Sequence, residues 1–357
     1  MRRARAGDRA AVLAFASTTW DGEDYIPDVF DDWLAAPDGV LLVALPQAGQ
    51  AGLNSTRAVA LARVAMLSSA EAWLEGLRVD PDVRGRSVAT TLQVAELHWA
   101  GAYGARVVRY ATSETNEGSH RLGARHGFHR IADWRSYGRR DESAADQASN
   151  AGGPVGDTAA VLERLRATGL AIDPDARDVV VADLWRMVDS DPTFAAADRL
   201  YEWRPWALQE LTRHRFLAHL RRGEVLGWPA AKVPGSVEAG SFGALAILSL
   251  LEDPEGPDIH LATLVGDGLA ALQLAQAVRA SSRLPLRLRL PDRAPLLADL
   301  GEEAAACGFP GHGRTLHFLE RSLAADMPTP EPDLPGLLVM EEPPRQIAQP
   351  PPLRTFR

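Results

Sequence analysis

Apolar positions along "GDRAAVLAFASTTW", Gly7 to Trp20, recur at helical spacing. Val12, Phe15 and Thr19 would form the inner stripe, with Asp8 placed to cap the first turn. "DYIPDVFDDWL" reads as a second short helix opening after Pro27, with Val29, Phe30, Trp33 and Leu34 turned inward. The pattern then changes: "GVLLVAL", "TRAVALARVAML" and "EAWLEGLRV" are strand-like runs separated by turn residues. "SVATTLQVAELHWAGAYG" returns to helical spacing, with Val88, Leu92, Ala95 and Trp99 on one face and Gly104 as its stop. "ARVVRYAT" is a further strand.

Residues 1–138 therefore read as one unit. "RRDESAADQASNAGGPVGD" is polar, glycine-rich and aperiodic, which predicts a linker over 139–157. Helical spacing resumes with "TAAVLERLRATGL" and "VVVADLWRMV", and strand patterns follow in "FGALAILSLLED" and "DIHLATLVG". A second unit is expected over 158–326, ahead of a proline-crowded tail at 327–357, read as an extended surface strap or a docking motif. The two halves echo one another. "EGLRV", loop, helix, "VVRY", helix and Gly127-Phe128 are matched by "HLATLV", "GDG", helix, "LPLRLRL", helix and Phe309. A duplicated unit accounts for the echo, and so does chance similarity of two α/β stretches.

With 357 residues, 46% apolar and 24% charged, the chain fits two soluble domains of ordinary size. No apolar run approaches the ~18 residues of a membrane span, so no membrane partner is expected. Cys307 is the only cysteine, which excludes an intrachain disulfide and points to a cytoplasmic setting. A net charge of −9 argues against nucleic acid as partner. The nine histidines show no metal-ligand spacing, so no metal is expected. The sequence leaves the oligomeric state open.

The stretch "LRVDPDVRGRSVATTL", Leu77 to Leu92, places Arg84, Gly85, Arg86 and Ser87 at the entrance of a helix. A helix start leaves about four backbone N–H groups unpaired and carries positive partial charge. With two arginines and small residues around it, it becomes a cradle for phosphate. The nucleotide fingerprints G-x-G-x-x-G and G-x-x-x-x-G-K-S/T are both absent here. Taken alone, the loop could equally be a basic turn capped by Ser87.

Read as R-x-x-G/S-x-A, Arg84 to Ala89 resembles the acetyl-CoA pyrophosphate loop of the GNAT superfamily of N-acetyltransferases. "NEGSHRLGARHGF", Asn116 to Phe128, is similar to that family's Asn-led helix ending in Gly-Phe, one strand further on. The resemblance covers roughly residues 1–138 and is closest, more weakly, to the histidine N-acetyltransferase-like branch. It implies an α/β (α+β) fold of tandem domains, each a mixed, splayed sheet flanked by helices, the second copy degenerate. It further implies acetyl-CoA as co-substrate, held by Leu77, Arg78 and Val79 on the strand, by Arg84, Gly85, Arg86, Ser87, Val88, Ala89 and Thr90 in the loop, and by Asn116. Two positions depart from the family. Ser87 stands where the loop has its second glycine, and Gly123 where the family often has a tyrosine as general acid. Ser119, His120 and Tyr137 are the candidates for that lost role, with Ser119 foremost.

Acetyl transfer to an amine needs a base, a polarised thioester carbonyl and an exit for the proton. Strand alternation would set Trp73, Glu75, Leu77 and Val79 on one face, with Glu75 as base among apolar neighbours. Glu71 is the second choice, and a salt-bridged structural role for Glu75 the alternative. "WDGEDYIPDVFDDW" interleaves acidic and aromatic residues, and Asp24, Tyr25 and Trp33 are the candidates to hold a cationic acceptor. A solvated helix face would carry the same composition. The expectation is an N-acetyltransferase acting on a small amine, such as a free amino acid like histidine. A coenzyme-binding sensor, or a protein N-acetyltransferase docking through its second half, stands as the alternative.

Overall fold

The computed structural model describes residues 1–17, 24–46, 56–137, 158–204, 206–230, 242–253, 256–281, 286–292, 294–296 and 311–323. The expected linker and tail, Thr19, Cys307 and Phe309 lie outside these residues. In chain order the elements begin β1 (Arg2–Arg3), α1 (Arg9–Ala16), α2 (Ile26–Ala35), β2 (Gly39–Ala44), β3 (Ala60–Met66) and β4 (Glu71–Val79). α3 (Val88–Ala102), β5 (Val107–Ser113), α4 (Glu117–Arg125) and β6 (His129–Tyr137) follow. The second half holds α5 (Thr158–Ala167), α6 (Asp178–Asp189), α7 (Pro192–Ala196), β7 (Leu200–Arg204), β8 (Ala207–Glu210) and α8 (Arg213–Arg221). It closes with β9 (Val225–Pro229), β10 (Phe242–Asp253), β11 (Gly256–Gly266), α9 (Gly268–Ala280), β12 (Leu286–Pro291) and β13 (Gly311–Ser322).

The chain divides by packing into two units, and not at the boundaries of 138 and 158 read from the sequence. Unit 1 comprises Met1–Thr112, Asn116–Arg130 and Leu319 onward; unit 2 comprises Ser113–Thr115 and Ile131–Phe318. Most of β6 thus belongs to unit 2, while the end of β13 belongs to unit 1, beside β5. There Arg109 Nε donates to Glu320 at 2.7 Å and Leu323 N to Arg106 O at 2.7 Å.

In unit 1 the sheet runs β1-β2-β3-β4-β5. α1 and α2 cover one face, burying Val12, Phe15, Ile26 and Phe30 against Leu41, Val43 and Leu61. α3 covers the other, burying Leu92, Leu97 and Trp99 against Leu42, Ala62, Val64 and Leu74. Burial on both faces explains why β2 and β3 are apolar throughout rather than alternating. Asp8 does not cap α1. It accepts from both terminal nitrogens of Arg2, at 2.6 and 2.7 Å, and from Arg5 N at 2.8 Å, and Arg2 holds its carboxyl below the ordinary range. α2 opens one residue before Pro27, where Asp24 accepts from Ile26 N at 3.0 Å.

Unit 2 carries the order β13-β6-β12-β11-β10-β9 and a separate β7–β8 hairpin. α9 packs into the core on one face with Leu274 and Val278; the other face holds Val181, Leu184, Phe194 and Phe216 from α6, α7 and α8. In each unit two parallel strands enclose a helix in sequence, β4-α3-β5 in one and β11-α9-β12 in the other. β4 and β5 pair only from Glu71↔Val107 to Trp73↔Arg109, so the strands are open to one another beyond Leu74 and Tyr110.

Candidate functional site

The descent from β4 into α3 is built to leave backbone donors unused. Asp80 Oδ1 accepts from Asp82 N at 3.0 Å, closing a 3-10 turn over Pro81–Val83, and buried Val83 anchors it. Gly85 (φ 75°) and Ser87 (φ 59°) then both take left-handed conformations. The first ladder bond of α3 runs from Thr91 N to Ser87 O at 3.0 Å, and the Ser87 side chain makes no cap bond. Among the described residues the N–H groups of Gly85 to Thr90 therefore meet no backbone or side-chain acceptor. The left-handed backbone is the physical reason glycine suits position 87, and serine there costs roughly 1–2 kcal/mol. Arg84 and Arg86 are exposed beside these donors, with Arg84 Nε bonded back to Val79 O at 3.2 Å.

The corresponding helix of unit 2 is closed. Asp267 caps α9 with its own carboxylate, accepting from Ala270 N at 3.0 Å. One helix start presents donors and the other has consumed them.

Strand β4 departs from simple alternation. Gly76 has φ 70°, and the register steps from Arg63↔Glu75 to Leu61↔Arg78, so β4 holds one residue more than β3. That bulge reverses the side-chain sense beyond it. Leu77 and Val79 pack with Leu74 on the α3 side, whereas Glu75 faces the α2 side. Glu75 is not surrounded by apolar groups. It pairs with Arg63, which is 1% exposed, bonds Asp38 at 2.7 Å and lies 5.2 Å from the centre of the Trp33 ring. Glu71 is held by Arg109 (2.8 Å) and by the Ser68 hydroxyl (2.9 Å).

Asp24, Tyr25 and Trp33 do come together, but around a cation of the protein itself. Asp24 accepts from Arg78 Nε (2.6 Å) and Nη2 (3.2 Å), and the Arg78 guanidinium sits 5.2 Å from the Tyr25 ring centre. Tyr25 meets Trp33 edge-on at 5.9 Å. Burial would depress Arg78, and Asp24 and Tyr25 more than offset it; burial pushes Tyr25 up. The Asp24 charge expected to meet an acceptor is spent on Arg78.

On the far side of the opening, Asn116 caps α4 by accepting from Ser119 N at 3.2 Å, and Ser119 and His120 lie half-buried on its first turn. Tyr137 instead ends β6 in unit 2, in register with Leu288.

The sequence of this structural block was compared with known proteins. Residues 10–128 match the acetyltransferase (GNAT) family. Through this segment the chain belongs to that family. The human protein named Probable N-acetyltransferase 16 is 33% identical over 82 residues, 23% of this chain. The chain spans one fifth (20%) of that curated relative. A GCN5-related N-acetyltransferase from Sphaerobacter thermophilus is 16% identical over 90% of this chain and 94% of its own, with a TM-score of 0.49. An acetyltransferase of the GNAT family from Streptococcus pneumoniae is 16% identical over 37% of this chain and 84% of its own, with a TM-score of 0.31.

Two residues of this GNAT segment escaped the sequence reading. Tyr110, at the fork of β4 and β5, donates its hydroxyl to Ser119 O at 3.1 Å and stacks edge-on with Phe128. A Cβ on Gly123 would collide with that hydroxyl, so Gly123 is what lets Tyr110 close over α4. Burial pushes the Tyr110 phenol up to about 12. Glu96 is the second. It lies on the buried side of α3, 1% exposed, where burial first and the Glu75 charge second hold its carboxyl well above the ordinary range. Its only sequence signal was its spacing one turn from Leu92 and Trp99, which places it on the inner face.

Proposed function

We propose that this chain is an acetyl-CoA-dependent N-acetyltransferase that acts in the cytoplasm on the amine of a small molecule, a free amino acid such as histidine being the leading candidate. One observation carries the reading: the run of unused N–H donors from Gly85 to Thr90, flanked by Arg84 and Arg86, directly after a strand that parts from its parallel neighbour. These donors fit a pyrophosphate, which a helix start binds through backbone N–H and dipole together. Acetyl-CoA supplies the activated acyl group.

The chain's own residues do the rest. The exposed edge of β4 at Leu77, Arg78 and Val79 offers backbone groups to the pantetheine amides, and Asn116 fixes the facing helix. The Arg63–Glu75–Asp38 network and the Asp24–Arg78–Tyr25–Trp33 stack make one rigid wall against which the acceptor rests. Glu75 takes the proton from the acceptor nitrogen; its pairing with Arg63 fixes its orientation. In unit 2 the self-capped start of α9 supports a structural role for a degenerate second copy.

Release of free thiol from acetyl-CoA, measured against a panel of amines, amino acids and peptides, tests the reading. An amine that accelerates release supports it, and a peptide-only response moves the substrate to proteins. The engagement of Glu75 by Arg63 favours one rival, a coenzyme-binding sensor. Tight acetyl-CoA binding with no amine-dependent thiol release would establish that rival.

A further inference from the structure

The helix α3 buries two polar side chains that its amphipathic pattern does not require. Gln93 and Glu96 are 4% and 1% exposed, and the Oε1 atom of each is enclosed without a hydrogen-bond partner among the described residues. A carboxyl enclosed in this way keeps its proton, because an isolated buried charge is far costlier than a buried neutral acid.

Its level in the unit is set by simple geometry. β4 and β5 are parallel and α3 connects them, so the helix runs back along β4. From Val88 to Glu96 the helix advances about 12 Å, at about 1.5 Å per residue. From Val79 back to Glu75 the strand covers about 13 Å, at about 3.3 Å per residue. Glu96 and Glu75 thus stand at the same distance from the phosphate cradle, and the charge of Glu75 is felt at Glu96. Other charges near the pair come from β3, where Arg63 engages Glu75, and from Asp38 on Arg63. β2, which also packs on α3, carries none in Gly39–Ala44. His98 on the same helix is shifted by burial and Arg321.

We propose that Glu96 is the general acid of the acetyl transfer, the proton donor that complements Glu75 as base. The inference rests on the transferase reading above. In the reaction the C–S bond breaks and the C–N bond forms. Two protons leave an acceptor that enters as ammonium: one is released to solvent and one N–H proton passes to Glu75. The O–H of Glu96 breaks and its proton completes the S–H of free coenzyme. A proton passing from Glu75 to Glu96 resets the pair. The pair carries one negative charge before and after, which Arg63 balances throughout.

Magnitudes favour this group over the nearby phenol. A thiol of pKa near 8.5 is protonated only uphill by Tyr110 at about 12, whose hydroxyl is in any case committed to Ser119 O. Environments that drive two carboxyls apart, one by an arginine and one by burial, are the arrangement that separates a base from an acid.

Infrared spectroscopy tests the proton and kinetics test its use. The wild-type chain is expected to show the band of a protonated carboxyl at neutral pH, which Glu96→Gln removes. In Glu75→Gln that band should disappear at lower pH, because the like charge is gone; this measurement stands even where Glu96→Gln fails to fold. Glu96→Gln should lower kcat about 100-fold with acetyl-CoA, leave its KM unchanged and abolish the alkaline limb of the rate profile. With an acetyl thioester of a nitrothiophenol, whose leaving group needs no proton, the variant should match wild type within about twofold. A persistent band in Glu96→Gln, or equal losses with both thioesters, overturns the proposal. A wild-type chain with the band but no thiol release with any amine overturns the transferase reading, and Glu96 as its acid with it. A wild-type chain that is active but lacks the band overturns the role of Glu96 alone.

Discussion

The hydroxyl of Tyr110 occupies the space into which a side chain on Gly123 would grow. Gly→Ala in a helix ordinarily stabilises, by about 0.8–1.0 kcal/mol. Here the sign should reverse. Gly123→Ala is expected to destabilise by about 1–3 kcal/mol, the range for overpacking a filled core. Adding Tyr110→Phe removes the colliding atom and should recover most of the loss. Chemical denaturation of both single variants and the double variant measures that coupling, and additive losses would refute it.

The loop before α3 makes separable predictions for strain and charge. Ser87→Gly should stabilise by about 1 kcal/mol, since glycine adopts φ 59° freely. Acetyl-CoA affinity should hardly change, because the N–H is kept. Arg86→Ala should weaken acetyl-CoA binding about tenfold, the worth of a hydrogen bond to a charged group, and leave stability unchanged. Calorimetric titration resolves the two effects.

Arg63 is enclosed between Glu75 and Asp38 beneath Trp33. Removing one member of a buried ionic group strands the others, so Arg63→Leu should cost about 3–5 kcal/mol. Arg63→Lys keeps the charge but not the two-sided geometry and should fall between. Thermal unfolding distinguishes them.

Glu96 also makes a prediction about pH. Its folded carboxyl is raised, so the folded chain binds a proton that the unfolded chain has lost. Stability should therefore fall as pH rises from the ordinary glutamate range through the raised folded value, and level off above it. Glu96→Gln should be flat over that window and the more stable form at neutral pH. Melting temperatures at matched pH values check this; parallel curves for the two chains would refute it.

Much of this was legible in the residues, and what was not has identifiable causes. β4 occupies the same residues, Glu71–Val79, that its apolar spacing and following Pro-Asp turn mark out. The loop announces itself because a helix start with two arginines has few uses. The facing of Glu75 was not legible, since a single glycine bulge inverts the alternation and Gly76 can equally sit in a regular strand. Asp24 read as a free acid because its partner Arg78 lies far along the chain, and local pattern carries no record of such pairings. Glu96 hid in plain view: spacing placed it inward, and charge argued it outward.

The placement of β13 has a consequence for synthesis. The flank of β5 is finished by Leu319–Ser322, so a nascent chain that has emerged only as far as β6 exposes an unsatisfied strand edge. The amino-terminal half is therefore obliged to wait, through the translation of nearly two hundred further residues, before its last backbone partner arrives. Truncation after the recognised family segment should yield an aggregating fragment, not a minimal enzyme.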